Sequence, residues 1–179
     1  IDDGAGIGIT VAAARLIKDH YPNGLKRTIR VILWGSEEVG LVGAKAYAEA
    51  HENELQNFIV AAESDFGAGK IWKFNSFFAE EKLHYLSSFA DTLKPLGIAR
   101  GDNQASSGPD VGALKAKGVP IVSLQQNGWD YFDLHHTPND TLDKIDPDDL
   151  AQNVAAYAAF IYLASEVDDN FRAKEKEIN

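Results

Sequence analysis

The chain of 179 residues carries 17 Lys and Arg against 27 Asp and Glu, and its net charge of -10 disfavours nucleic acid and other polyanionic partners. With 45 % hydrophobic residues it can bury one sizeable core, so we predict a single domain over residues 1–179. Cysteine is absent, which excludes disulfides and thiolate ligands, and no apolar run reaches the roughly 20 residues of a membrane span.

The first half of the chain alternates predicted helices with predicted strands. "GAGIGITVAAARLIKDHY" has apolar residues at helical spacing and predicts a helix. The residues on its apolar face are Ile7, Val11, Ala14 and Ile17. "RTIRVILWG" is β-branched and predicts a strand buried on both faces, "LVGAKAYAEAHENE" predicts a helix, and "NFIVAAESD" predicts the next strand. A shorter strand is predicted at "KIWKFN".

The second half continues the alternation. "AEEKLHYLSSFADTLKPLG" predicts a helix, "ARGDNQASSGPD" a surface loop, "VGALKAKG" a short helix and "VPIVSLQQ" a buried strand. A long loop, "NGWDYFDLHHTPNDTLDKI", precedes an amphipathic helix that begins at Pro147. We therefore predict an α/β three-layer sandwich, in which a twisted, mostly parallel (mixed) sheet has helices on both faces.

Ionisable residues lie where the predicted strands end. Glu37 and Glu38 follow one strand, Asp65 ends the next, and His136 lies in the loop after the last. Asp2 comes just before a helix, as would a residue that leaves an earlier strand. Because loops converge at the carboxyl ends of such strands, we expect these groups to meet at one rim. Crowded carboxylates repel each other unless protons or cations neutralise them, so the pattern favours a divalent metal.

Zinc suits this set of donors, because it accepts imidazole nitrogen and carboxylate oxygen and activates a water molecule. Glu37 and Glu38 point in different directions at a strand end, so one can bind metal while the other serves as a general base. The residues alone do not decide which glutamate has which role. Without the other motifs, a solvated turn before a helix would be the better explanation of the pair.

Four motifs in the same order resemble the zinc aminopeptidase family of co-catalytic two-zinc exopeptidases, peptidase family M28. They are "IDDGAGIGITVAAARLI", "KRTIRVILWGSEEVGLVGAKAYA", "AAESD" and "DLHHTPNDTLDKI". The similarity covers nearly the whole chain and looks closest to the plasma glutamate carboxypeptidase-like branch. It implies a zinc-exopeptidase-like fold, up to two zinc ions and small peptide substrates.

The resemblance also implies a role for each matching residue. Asp2 would bridge the two metals and be joined to Asp3 by a cis peptide bond. Glu38 and His136 would complete the first metal site, and Asp65 would bind the second metal. His136 is chosen over its neighbour because the family's ligand directly precedes the Thr or Ser of this motif.

Glu37 would then be the general base. The family's remaining ligand is a His in an HxD segment upstream of the DDG motif, and this chain does not contain that segment. We therefore expect an N-terminally truncated catalytic domain. The longer protein would be a two-metal enzyme, whereas this chain would bind one zinc weakly or none and would lack activity.

Further residues are candidates for supporting roles. Those expected to contact substrate are Ser107, Asp110, Tyr131 and Phe132. Asp140 is expected to accept a hydrogen bond from His136, and a simple turn explains it equally well. Asp3 is expected either to support the bridging ligand or to cap the first helix.

The sequence thus predicts a zinc-dependent exopeptidase that hydrolyses dipeptides or the terminal residues of short peptides. One alternative is a single-zinc glutaminyl cyclase, for which the ligands of the first metal site would suffice. Another is a non-catalytic peptidase-like binding domain, which would have lost the metal carboxylates. The resemblance implies a periplasmic or secreted location, and a homodimer is one of the oligomeric states left open.

Overall fold

The computed structural model describes residues 1–106 and 108–173. Its helices are α1 (Gly4–His20), α2 (Val42–Ala50), α3 (Leu83–Leu93), α4 (Val111–Ala116), α5 (Tyr131–Leu134) and α6 (Pro147–Glu166). Its strands are β1 (Ile71–Phe77), β2 (Ala99–Arg100) and β3 (Ile121–Gln126). These bounds confirm the predicted helices and two of the predicted strands, whereas β2 and α5 lie in segments predicted to be loops.

The three strands form one mixed sheet in the order β2–β1–β3. Strand β1 pairs in parallel with β2, where Lys73 lies opposite Ala99. It pairs antiparallel with β3, where Phe74 lies opposite Leu124. The sheet is therefore mixed, as predicted.

The two faces of the sheet are covered by different apolar clusters. Side chains alternate along β3, so Val122 and Leu124 join one cluster while Ile121 joins another. The larger cluster packs α1, α3 and α6 against the sheet and fully buries Phe74 and Tyr157. On the other side, α2 and α4 pack against each other around a smaller cluster. Helices on both faces confirm the three-layer α/β sandwich.

Helix α1 buries a face that is only partly the predicted one, with Ile17 common to both. Ile7 and Val11 are 44 % and 46 % exposed, whereas the buried side chains follow i, i+4 spacing. The buried members are Ala5, Ile9, Ala13 and Ile17. Small residues among them let α1 lie close against α6, the helix that it contacts most. The prediction was wrong because it ranked positions by hydrophobicity rather than by the space beside the partner helix.

Two predicted strands are not formed as such. Within the described residues, 27–35 contains no strand and 57–65 contributes one bridge to β3. In that bridge Ala61 donates its N–H to the carbonyl of Pro120 (2.9 Å) and accepts from the N–H of Val122 (3.0 Å). A strand requires hydrogen bonds to a neighbour, so β-branched residues alone do not make one.

The last helix begins with a complete N-cap. Asp146 accepts hydrogen bonds from the N–H groups of Asp148 (2.8 Å) and Asp149 (3.1 Å), and Pro147 occupies the first helical turn. Although α6 has 20 residues, neither it nor another described helix has the hydropathy that crossing a membrane would require.

Candidate metal centre

Three separated segments bring ionisable side chains to one place. Asp2 precedes α1, Glu38 lies in the loop before α2, and His136 follows α5. One possible ligand atom from each of these three residues lies within 4.8 Å of the other two. We call these three residues the metal centre. The predicted convergence of Asp2, Glu38 and His136 is thus present in the structure.

The distances in the metal centre fit one shared ion. His136 Nε2 lies 2.8 Å from Glu38 Oε1 and 3.2 Å from Asp2 Oδ2. Ligand atoms of a tetrahedral zinc, each about 2 Å from the ion, lie about 3.3 Å apart. The donors are one imidazole nitrogen and carboxylate oxygens, which zinc accepts. Glu38 and His136 are 62 % and 56 % exposed, so an ion can reach them from solvent.

Asp2 is held by groups far away in the sequence. The Tyr131 hydroxyl donates to Asp2 Oδ1 (2.8 Å), and the ring of Tyr131 stacks on Phe66. The N–H of Asp2 donates to Asp140 Oδ2 (2.8 Å). Asp140 therefore supports Asp2, and its own N–H donates to the Thr137 carbonyl (3.1 Å), which fits the turn that was the equal alternative for this residue. A role of Asp140 toward His136 stays a prediction. The peptide bond between Asp2 and Asp3 is cis, as the resemblance implied.

The loops of the site contain three non-glycine residues in the left-handed region. Ser36 (φ 61°) and Leu41 (φ 58°) flank the pair of glutamates, and His136 itself has φ 58°. The carbonyl of Glu37 accepts from the N–H groups of Gly40 and Leu41, both at 2.9 Å. This tight turn fixes the glutamates, and such backbone conformations concentrate at functional sites.

A second group of acids adjoins the metal centre. Burial, Asp2 and Glu37 raise the pKa of Asp65 to about 6. Burial and the charge of Glu37 also raise the pKa of Asp110, which is almost fully buried. Glu37, Asp65 and Asp110 line the same cavity as Asp2. Because like charges this close disfavour ionisation, the group needs either protons or a cation.

Sequence reasoning missed Glu63. Its carboxylate accepts hydrogen bonds from the N–H groups of Asp110 (3.2 Å) and Val111 (2.7 Å), which start α4. Burial raises the pKa of Glu63 to about 7. A Cβ at Gly108 would lie 2.3 Å from the Glu63 carboxyl carbon, so a side chain there would displace the Glu63 carboxylate from these hydrogen bonds. Glu63 thus holds the loop that carries Asp110. In the sequence alone, Glu63 looks like any solvent-exposed glutamate on a strand.

The start of α1 is packed against the segment that carries Asp65. Asp3 Oδ1 accepts from the N–H of Gly6 (3.2 Å), so Asp3 caps the helix. A Cβ at Gly6 would lie 1.8 Å from the Ser64 carbonyl oxygen. Burial and Asp65 raise the pKa of Asp3 to about 8. The close approach at Gly6 brings the carboxylates of Asp3 and Asp65 together.

The remaining predicted residues are dispersed around the site. Ser107 lies outside the described residues. Phe132 is exposed and makes edge contacts with Phe66 and Tyr131. His135 stacks on Tyr131, which agrees with a packing role rather than a ligand role. The substrate roles of Ser107, Asp110, Tyr131 and Phe132 stay predictions.

The raised pKa values give a testable dependence of stability on pH. Asp3, Glu63 and Asp65 have folded pKa values of about 8, 7 and 6 against ordinary values near 4, so the folded state holds protons that the unfolded state has lost. The hydrogen bond to Glu38 raises the pKa of His136. The interaction of protonated His136 with Glu38 stabilises the folded state, and this contribution is also lost as pH rises. We therefore expect the metal-free protein to melt at a lower temperature at pH 8 than at pH 5.

Thermal unfolding in the presence of a chelator measures this difference. Asp65→Asn is the control, because removing one acid should flatten the dependence. A melting temperature that rises between pH 5 and pH 8 would contradict the crowding of these carboxylates.

The comparisons with known proteins agree on one family. The family model described as Peptidase family M28 matches residues 1–161. Carboxypeptidase Q of Rattus norvegicus is 31% identical over 171 residues, which cover 94% of this chain and 35% of the relative. Carboxypeptidase Q of Homo sapiens is 32% identical over the same number of residues, with the same coverage of 94% and 35%. The chain thus spans about a third of the length of these relatives.

Solved structures give the same result. A Peptidase M28 precursor from Shewanella amazonensis SB2B has a TM-score of 0.93 at 50% identity, covering 99% of this chain and 40% of that one. An aminopeptidase from Aneurinibacillus sp. strain AM-1 has a TM-score of 0.65 at 24% identity, covering 97% of this chain and 43% of that one. At this identity the likeness supports the fold alone. Together with the family match over residues 1–161, these likenesses show that the chain belongs to peptidase family M28.

Proposed function

We propose that this chain carries most of the active site of a zinc-dependent exopeptidase, which hydrolyses dipeptides or the terminal residues of short peptides. The observation that carries the proposal is the approach of Asp2, Glu38 and His136 to within 4.8 Å, next to the acids Glu37 and Asp65. A non-catalytic binding domain would not require this set of donors in one place.

The metal centre would hold one zinc through Asp2, Glu38 and His136. Asp2 and Asp65 would contribute to a second metal site. The resemblance implies that a His from an upstream segment would complete it. When bound, zinc supplies Lewis acidity, which favours ionisation of a water molecule and polarises a peptide carbonyl. Two residues keep Asp2 in place: the Tyr131 hydroxyl donates to its carboxylate, and Asp140 accepts a hydrogen bond from its N–H.

Glu37 would act as the general base. It lies at the cavity beside Asp65 and Asp110, outside the three residues of the metal centre. From there its carboxylate would take a proton from the attacking water and return it to the leaving amine.

Zinc titration tests the proposed metal centre. In a version of the chain extended upstream to include the expected HxD segment, we expect His136→Ala to weaken zinc binding by at least about 100-fold, because it removes the one nitrogen donor of the centre. His20→Ala is the matched control, since His20 is exposed on α1 and bonds to the carbonyl of Leu16. Isothermal titration calorimetry measures both affinities. Equal zinc affinities for the two variants would contradict the assignment of His136 as a ligand.

A substrate panel tests the reaction. We assay dipeptides and peptides with N-terminal Gln, using this chain and a version extended upstream to include the expected HxD segment. Release of free amino acids supports the exopeptidase. Formation of pyroglutamate without amino acid release would favour the cyclase, and the absence of both products in the extended version would favour a binding domain.

A further inference from the structure

Four aromatic rings beside the metal centre are stacked in a row. The ring centroids of Phe66 and Tyr131 lie 4.5 Å apart, and those of Tyr131 and His135 lie 4.9 Å apart. The rings of His135 and His136 follow at 4.5 Å. In each pair the two ring planes lie 25° to 28° from parallel. We call this row of four rings the stack, and its last ring is the imidazole of the metal centre.

Neighbouring residues hold the first three rings of the stack. A Cβ at Gly128 would lie 1.9 Å from Phe66 Cε1, so the first ring lies directly against the Gly128 backbone. The ring of Phe132 is nearly perpendicular to three rings of the stack, at 75° to Phe66, 82° to Tyr131 and 86° to His135. Both the parallel and the perpendicular arrangement are favourable geometries for aromatic pairs. The stack therefore has a fixed end at Phe66, away from the metal centre.

The imidazole of His136 has no other support of this kind. Its side chain is more than half exposed, and its Nε2 faces Glu38 and Asp2, the other two residues of the metal centre. A metal-bound imidazole commonly donates its second N–H to a carboxylate or a carbonyl, which fixes the ring. Within the part of the chain that the structure describes, His136 Nδ1 has no hydrogen-bond partner. Outside the metal centre, the ring is therefore oriented by its contact with His135.

The stack also contacts a second residue of the metal centre. The hydroxyl of Tyr131 donates to Asp2 Oδ1 (2.8 Å), while the ring of Tyr131 packs on His135. Asp2 Oδ2, the other oxygen of that carboxylate, is the one that lies near His136 Nε2. Asp2 and His136 are far apart in the sequence, and the rings of Tyr131 and His135 connect them. One row of rings thus supports two of the three residues that would bind zinc.

We propose that His135 is a positioning residue, whose ring fills the space between Tyr131 and His136 and fixes the plane in which His136 Nε2 faces the metal. The proposal rests on the proposed function, because it takes His136 to be a zinc ligand. What His135 contributes is a flat ring rather than a nitrogen atom, since its Nδ1 is buried and has no hydrogen-bond partner among the described residues. Phenylalanine should therefore replace His135, whereas leucine should not.

Zinc titration of the version extended upstream tests this difference. We expect His135→Leu to weaken zinc binding about 3- to 10-fold, because it removes one aromatic contact, and His135→Phe to stay within about twofold of the unchanged protein. His51→Leu is the matched control, because the ring of His51 lies 4.2 Å from that of Tyr47 at the end of α2, outside the metal centre. Thermal unfolding without zinc is measured for each variant. A purely structural role of His135 would lower the melting temperature and leave the zinc affinity of the folded protein unchanged.

NMR spectra of the zinc-free protein test the stack without any metal. A ring stacked on an imidazole shifts the Hδ2 and Hε1 protons of that imidazole upfield through its ring current. We expect both protons of His136 to move downfield in His135→Leu and to stay upfield in His135→Phe. Unchanged His136 shifts in His135→Leu would mean that the two rings are not stacked and would overturn the proposal.

The titration has outcomes that separate this proposal from the proposed function. Zinc binding that is lost in His136→Ala but unaffected in His135→Leu would overturn the positioning role alone. Equal losses in His135→Leu and His135→Phe would also overturn it, because a nitrogen of His135 would then matter rather than its ring. If the unchanged extended protein bound no zinc, the proposed function would fail and the positioning role with it. Should His135→Leu fail to fold, His135→Gln, which is polar and lacks a ring, provides the same comparison.

Discussion

We expect Glu37→Gln to lower turnover by about 10²- to 10⁴-fold while zinc binding is retained. Glutamine has nearly the same shape as glutamate, but its amide does not accept a proton at neutral pH. The contacts that fix the turn use the backbone carbonyl of Glu37, which the substitution leaves in place. The expected loss is therefore chemical rather than structural.

The control for this variant is Glu38→Gln. Glu38 Oε1 lies 2.8 Å from His136 Nε2, so its loss should weaken zinc binding and turnover together. Steady-state kinetics on the extended, active protein and zinc analysis of each variant separate the two roles. Full activity of Glu37→Gln would remove Glu37 from the mechanism. If Glu37→Gln lost zinc and Glu38→Gln lost only turnover, Glu38 would be the base and Glu37 the ligand.

Gly6→Ala should destabilise the fold by roughly 3 kcal/mol and lower the melting temperature by about 6 to 12 °C. The added Cβ would lie 1.8 Å from the Ser64 carbonyl oxygen and 2.3 Å from Asp3 Oδ1. The Ser64 oxygen belongs to the main chain and cannot swing aside, so α1 must move away from Ser64. Because Asp2 and Asp3 precede this helix, we also expect weaker zinc binding.

Gly8→Ala is the matched control, two residues along the same helix. A Cβ at Gly8 has no neighbour within 4 Å in the described residues. Alanine favours the helix over glycine, so we expect a gain of roughly 0.5 to 1 kcal/mol in the free energy of unfolding. Thermal and denaturant unfolding measure both variants. Similar effects of the two substitutions would show that α1 does not approach Ser64 as closely as described.

The site depends on contacts between distant parts of the chain, and this limited what could be predicted. Tyr131 and Asp2 are 129 positions apart, and the hydrogen bond between them follows from how α5 lies against the start of α1. Glu63 looks like an ordinary polar residue at the end of a strand. Its role became visible because the N–H groups of Asp110 and Val111 meet its carboxylate.

The sequence by itself predicted the fold class, the family and the residues of the candidate metal centre. Helical and strand periodicity are local properties, and Asp2, Glu38 and His136 lie in motifs that specify them without reference to partners. Tertiary structure alone decided which face of α1 is buried and what holds Asp2. Both features depend on the space and the hydrogen-bonding groups that distant segments offer each other. A pattern of hydrophobicity along one segment carries no information about either.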